Sequence, residues 1–411
     1  MAAPLALAGL LHWSHAAETA IDFERAKALH ERQQRGESLT TDEEKYLEEA
    51  KRQFMARQAA SQGAPPSNDG FDWDRARKLY QRKQAGETLS PEDDKFLQEA
   101  IKRRQGGGGG GSGGGNSGSP RGERVADEKM LKELVPLTEL TTPYKGQDGG
   151  LYGAGSNEPP PVLQERASKA AAQIKPLNAE GKPDPAGKIV LLTLGMSNTT
   201  MESAVFVQKA MADSRKAPAV VVVDGAQGGK DATAWAKADA QPWTVAGERL
   251  KSVGVTPQQV QALWIKQALI SPQAGFPAEA DRLRDRLAET VAIVKEKYPN
   301  VRLVFLSSRI YAGYAVTKLN PEPYAYEGAF AMRDLIQRQL KDDAKGPVLL
   351  WGPYLWAAGK TPRKSDGLTY APEDFADDGT HPGQTARVKV ADLLLKFFTT
   401  DPNAKSWFVK E

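Results

Sequence analysis

The chain contains no cysteine. That excludes disulfides, thiolate nucleophiles, zinc–thiolate sites and iron–sulfur clusters together. Histidine is nearly as scarce: the sequence has 4, at His12, His15, His30 and His381, too few for a histidine-rich metal centre. An excess of charge of either sign is also missing. With 55 Lys+Arg against 52 Asp+Glu, the formal net charge is +3. Nothing general then attracts the chain to phosphate backbones or anionic lipid, and no nucleic-acid partner is expected. No apolar run reaches the roughly 20 residues that a transmembrane helix needs. What remains, in 411 residues that are 26% charged and 40% hydrophobic, is the composition of an ordinary soluble globular protein. The length suits two or three domains.

The first residues read MAAPLALAGLLHWSHAA. The apolar stretch Ala2–Leu11 fits the hydrophobic region of a signal peptide, with small residues at Ser14 to Ala17 near a cleavage point, although no Lys or Arg precedes Arg25. Residues 1–17 are therefore expected to be a signal peptide and the protein secreted or periplasmic, with a cytoplasmic location as the alternative. Further on, residues 106–121 begin GGGGGGSGGG, which has no side chains to bury and maximal backbone freedom: a flexible linker. Between the two, residues 18–105 hold an internal repeat. Residues 22–53 align without a gap on 72–103: Asp22-Phe23-Glu24-Arg25 on Asp72-Trp73-Asp74-Arg75, Gly36-Glu37-Ser38-Leu39 on Gly86-Glu87-Thr88-Leu89. Each copy reads as a helical hairpin. Leu29 and Leu79 sit on apolar stripes, Gly36 and Gly86 as left-handed caps, Thr40 with Glu43 as a capping box, and Ser90 as an N-cap. Such hairpins suit docking to a protein or cell-envelope partner, or a plain spacer. Their acidic clusters lack the alternating oxygen ligands of a calcium loop.

Residues 122–187 are rich in Pro and Gly, with one helical piece at 164–174, and read as an extension of the domain that follows. From 188 to 411 the pattern becomes regular. Lys188–Leu194, Ala219–Val223, Ala262–Lys266, Leu303–Ser307 and Pro347–Trp351 are short Val/Ile/Leu-rich runs, as expected of strands buried on both faces. Helical stretches alternate with them, near 200–213, 257–260, 278–298, 326–341 and 384–398. This predicts an α/β domain with a five-stranded parallel sheet between two helical layers, a flavodoxin-like arrangement. In such sheets ligands bind outside the carboxyl ends of the strands, so chemistry is sought just after each one.

After the first strand comes Gly195-Met196-Ser197-Asn198, which exposes a serine hydroxyl on a strand-to-helix turn. A hydroxyl needs a base to become a useful nucleophile. Beyond position 30 the one imidazole is His381, in Asp377-Asp378-Gly379-Thr380-His381-Pro382. A carboxylate three residues before it, Asp378, can hold one ring nitrogen and aim the other at Ser197. The bland alternative is a turn in which Asp378 caps the final helix and His381 lies idle on the surface.

These segments resemble the blocks of the SGNH (GDSL-like) hydrolases. Gly195-Met196-Ser197-Asn198 is similar to the Gly-Gln-Ser-Asn form seen in carbohydrate esterases and sialate O-acetylesterases, with Met196 in place of the usual Gln or Asp. Gly228-Gly229 followed by Trp235 matches the second block, and Asp378-Gly379-Thr380-His381-Pro382 the closing Asp-x-x-His-Pro. The resemblance covers roughly residues 187–400. It implies Ser197, Asp378 and His381 as a catalytic triad, no metal and no organic cofactor. It also implies an oxyanion hole from the amides of Ser197 and Gly229 with one further donor. The family's third-block Asn is absent, and Gln267, at the end of the third strand, is taken for that donor. Asn198, Arg309, Tyr311, Tyr354 and Trp356 border the expected mouth as candidate substrate-binding residues. The implied activity is O-deacylation, acetyl first, of a small-molecule or glycan ester. Two rivals stand beside it: a catalytically silent glycan-binding protein on the same fold, and a flavodoxin-like nucleotide or flavin binder.

Overall fold

Five runs dominated by Val, Leu and Ile form β1 (Ile189–Gly195), β2 (Val220–Asp224), β3 (Val260–Lys266), β4 (Leu303–Ser307) and β5 (Val348–Trp351). In the computed structural model, which describes residues 122–341 and 346–410 and scattered positions from Leu29 to Glu99, the strands run in the order β2-β1-β3-β4-β5. All four pairings are parallel. Every residue of β1, β3, β4 and β5 is buried, as a sheet covered on both faces requires. The α/β, flavodoxin-like class expected from the alternation is the one observed. Its order reverses at β1, between β2 and β3, which puts the natural ligand crevice at the carboxyl end of β1.

The helices are α1 (Glu128–Glu133), α2 (Pro161–Ala171), α3 (Ser197–Ala212), α4 (Ala232–Trp235), α5 (Gln241–Ser252), α6 (Ala278–Lys297), α7 (Tyr324–Lys341), α8 (Gln384–Thr400) and α9 (Pro402–Phe408). α3 packs along α8, and α6 along α7. Phe206 of α3 stacks on Phe398 of α8, whose ring meets Phe305 of β4 edge-on, so this helix pair is fastened directly to the sheet. Strand edges fall within two residues of expectation. Four helices were not expected: α1, α4, α5 and α9. α5 starts after an extended Ala240 with Pro242 in its first turn, where proline costs no hydrogen bond, and it buries Trp243, Ala246 and Leu250. α9 has Asp401 as its N-cap and Pro402 at its first position. The helix expected at 257–260 is a single 3-10 turn, Pro257–Gln259.

The Pro/Gly-rich stretch 122–187 folds onto the sheet domain. Leu134, Leu137, Leu163, Ala167 and Ile174 belong to its core. Arg333 of α7 donates to the carbonyl of Asp148, and Trp351 of β5 donates its ring N–H to the Leu151 carbonyl. Tyr144 and Lys145 both bond Glu327 of α7. The turn 144–152 is thus a fixed strap across α7 and β5.

Met1–Gly115 forms a unit distinct from Asn116–Glu411. Within it Leu29 and Leu79, equivalent in the two repeats, are both helical and buried. Thr40 and Glu43 exchange the two bonds of a capping box, and the Ser90 hydroxyl accepts from the Asp93 amide. The leader-like residues 1–17, the linker 106–121 and most of the repeat lie outside the described residues. Among the described residues no helix is long and apolar enough to cross a membrane.

Candidate active site

β1 ends at Gly195 because nothing larger fits there. A Cβ would overlap the Thr199 hydroxyl and the Lys266 carbonyl, which already hydrogen-bond each other at 2.8 Å. Met196 follows in extended conformation as the N-cap of α3, and Ser197 takes the first helical position. There its hydroxyl stands at the crevice, and its amide is one of the four helix-start N–H groups without an intrahelical acceptor.

The second half of the site comes from the loop before α8. The Asp378 carboxylate accepts from the amides of Thr380 and His381, both at 2.9 Å, and meets His381 Nδ1 at 2.5 Å. Gly379 sits at φ +63° against the Tyr314 carbonyl, where any side chain would collide, and the Val316 amide donates to the Asp378 carbonyl. The loop is therefore held from both sides. Burial works against the Asp378 charge, but the bonds from the His381 ring and the two amides outweigh it and hold the carboxyl at about 2. With an anion fixed at Nδ1, that nitrogen carries the proton and Nε2 is the acceptor. Nε2 lies 2.8 Å from Ser197 Oγ. Serine, imidazole and carboxylate stand in one hydrogen-bonded line, brought together from positions 197, 381 and 378.

The turn after β2 completes the rim. The Gln227 amide and the Trp235 indole N–H both donate to the Gly195 carbonyl, tying this loop to the one that bears Ser197. Gly228 and Gly229 are exposed, and Gly229 adopts φ +71°. Gln267 is buried, and its side-chain NH2 donates to the Lys230 carbonyl at a long 3.4 Å. It makes no hydrogen bond to Ser197, His381 or Asp378.

Further along α3 lies a fully buried ion pair that the sequence reading missed: Glu202 with Lys266 at the end of β3. Burial pushes the Glu202 carboxyl up and pulls Lys266 down to about 8, each against the attraction of the other's charge. Arg309, after β4, is buried beside them. Burial lowers its affinity for a proton, while Glu202, Glu322 and Asp378 raise it. One guanidinium nitrogen donates to the Thr380 carbonyl at 3.4 Å, and Asn198 Nδ2 donates to the same oxygen at 2.9 Å. A lysine closing a buried, mostly apolar strand was the available sequence signal, since a charge there needs a partner.

The five residues expected to border the substrate are all buried. Trp356 is fully buried and donates its indole N–H to Glu322 at 2.7 Å. Tyr354 accepts from the Leu137 amide under the 134–140 segment, and Tyr311 packs edge-on against Tyr314 and Trp356. Asn198 and Arg309 are buried against the His381 loop. For the three aromatics the cause is shared. The segment from 122 and the loop 310–323 cover the region after β4 and β5, so aromatics there meet apolar neighbours rather than solvent.

The sequence matches no protein-family model and no curated protein. Solved structures with a similar chain path include a carbohydrate esterase family 3 protein from Talaromyces cellulolyticus, at 12% identity and TM-score 0.32, covering 50% of this chain and 93% of that one. An acetyl esterase mutant crystallised with an acetate ion is 12% identical at TM-score 0.33, covering 50% of this chain and 94% of its own. The periplasmic domain of a lipopolysaccharide acetyltransferase from Salmonella ser. Paratyphi A is 12% identical at TM-score 0.30, covering 58% and 95%.

Proposed function

We propose that this protein is a serine ester hydrolase of the SGNH type, acting on acyl esters of a carbohydrate or related alcohol, with acetyl the first choice. The observation that carries the reading is the 2.8 Å contact between Ser197 Oγ and His381 Nε2, with Asp378 at the opposite ring nitrogen. Ser197 attacks the ester carbonyl while His381 takes its proton. The negative charge that develops on the carbonyl oxygen is met by the amides of Ser197 and Gly229. Gln267 adds a third donor by turning from its long contact with Lys230. His381 returns the proton to the leaving alcohol, Asp378 stabilises the imidazolium in between, and water, activated by the same base, releases the acid from the acyl-serine. No metal or organic cofactor enters these steps. The N-terminal apolar run carries the companion proposal of a secreted or periplasmic location, with the cytoplasm as its alternative. The repeats then serve as a docking unit for a protein or envelope component.

Release of 4-nitrophenol from 4-nitrophenyl acetate tests the activity. Turnover by the wild-type chain that disappears in Ser197→Ala and in His381→Ala supports it. Equal slow release by all three points to a silent binding protein instead.

A further inference from the structure

We infer that Asn198 is a positioning residue for the triad: through the carbonyl of Thr380 it sets the His381 ring in line with the Ser197 hydroxyl. The inference rests on the proposed hydrolase reading and adds to it the device that registers nucleophile and base, which reach the site from places nearly two hundred residues apart. Asn198 is the neighbour of Ser197, and Thr380 the neighbour of His381. The 2.9 Å bond from Asn198 Nδ2 to the Thr380 carbonyl is therefore a single cross-link placed one residue away from each reacting group. It is buried at both ends, with Asn198 at 1% and Thr380 at 0% exposure, so water does not compete for it.

Two features show that the donor matters more than the volume. The Asn198 Oδ1 atom has no hydrogen-bond partner, so the side chain is kept by its NH2 alone. The Thr380 carbonyl also takes a second donor, Arg309 Nη2 at 3.4 Å, which approaches from the β4 side of the sheet. One backbone oxygen is thus held by α3 and by the loop after β4 together. The remaining Thr380 and His381 backbone groups are occupied locally: both amides go to Asp378 and the His381 carbonyl accepts from the Ala376 amide. Those bonds shape the loop but do not reach α3. Without the Asn198 donor the loop keeps its fold, and the one remaining hydrogen bond from it to the start of α3 is the Ser197–His381 contact itself.

The test compares the full-length wild type with Asn198→Ala and with Asn198→Asp, which keeps the volume and replaces the donor by an acceptor. The readouts are steady-state kinetics on 4-nitrophenyl acetate and the downfield proton resonance of the His381 Nδ1–H. The expected result is a kcat lowered on the order of 10- to 100-fold with KM within about twofold in both variants, as for a displaced catalytic group. The His381 proton signal should also broaden through faster exchange. Should Asn198→Ala fail to fold, Asn198→Asp carries the comparison. A kcat within twofold of wild type in a folded variant, or an unchanged resonance, overturns the inference. If the wild type shows no Ser197-dependent turnover, the hydrolase reading fails by itself, and the resonance still decides whether Asn198 holds the ring.

Discussion

Replacing Lys266 by Met removes the cation paired with Glu202 and leaves that carboxylate with 0% of its side chain exposed. The cost can be worked out. A carboxylate stripped of its buried partner relaxes by taking up a proton, and from its ordinary value of 4.5 this requires, at pH 7, about 2.5 pH units of work. At about 1.4 kcal/mol per unit the penalty is about 3 kcal/mol, within the range of about 3–5 kcal/mol seen when one partner of a buried pair is removed. The sign of the pH dependence follows. In Lys266→Met the folded state binds a proton that the unfolded chain at pH 7 does not, so the penalty shrinks as the pH falls toward 4.5. At pH 5 it should be under about 1 kcal/mol. Urea unfolding of wild type and variant at the two pH values gives the difference directly. The double variant Glu202→Gln/Lys266→Met should regain most of the stability and lose the pH dependence. A penalty below about 1 kcal/mol at pH 7, or one equal at both pH values, refutes the view that this pair is held by mutual compensation.

Three further outcomes are expected. Asp378→Asn removes the anion that fixes the His381 tautomer, so kcat on 4-nitrophenyl acetate should fall on the order of 10³- to 10⁴-fold with little change in KM. The same substitution tests acid stability. Because Asp378 is held at about 2, below its ordinary 3.8, its charged form favours the fold above pH 4, and that contribution is lost as the pH falls through 4 toward 2. The wild-type advantage over Asp378→Asn in chemical unfolding should narrow across that interval. Gly379→Ala forces a side chain onto a left-handed residue and against the Tyr314 carbonyl. Overpacking of this kind costs about 1–3 kcal/mol; activity should drop well before the melting temperature does, since the displaced loop carries both Asp378 and His381.

Much of this architecture was legible in the residues, for identifiable reasons. Strands buried on both faces declare themselves as unbroken Val/Leu/Ile runs, and the chemistry of the carboxyl ends then narrowed the search to a few turns. Scarcity did the rest: with a single imidazole after position 30, the partner of Ser197 was His381 or nothing. Other features were hidden because they depend on what lies across the fold. Pro242 and Gly247 in α5 look like breakers, although proline in a first turn and a Trp243/Ala246/Leu250 stripe are helix-compatible. Trp356 and Tyr354 follow a strand at the rim, yet the loop 310–323 with α7 meets the first and the 134–140 segment the second, and nothing local announces that cover. Glu202 reads as one polar residue on a helix until the sheet brings Lys266 beneath it.

The central claim is that Ser197 is a nucleophile activated by His381, and covalent capture tests it most directly. The full-length chain is treated with a fluorophosphonate, digested, and its peptides weighed. The account predicts one phosphonylated peptide, the one containing Ser197, at full occupancy in the wild type and strongly reduced in His381→Ala. Labelling that spares Ser197, or that proceeds equally in His381→Ala, would contradict it.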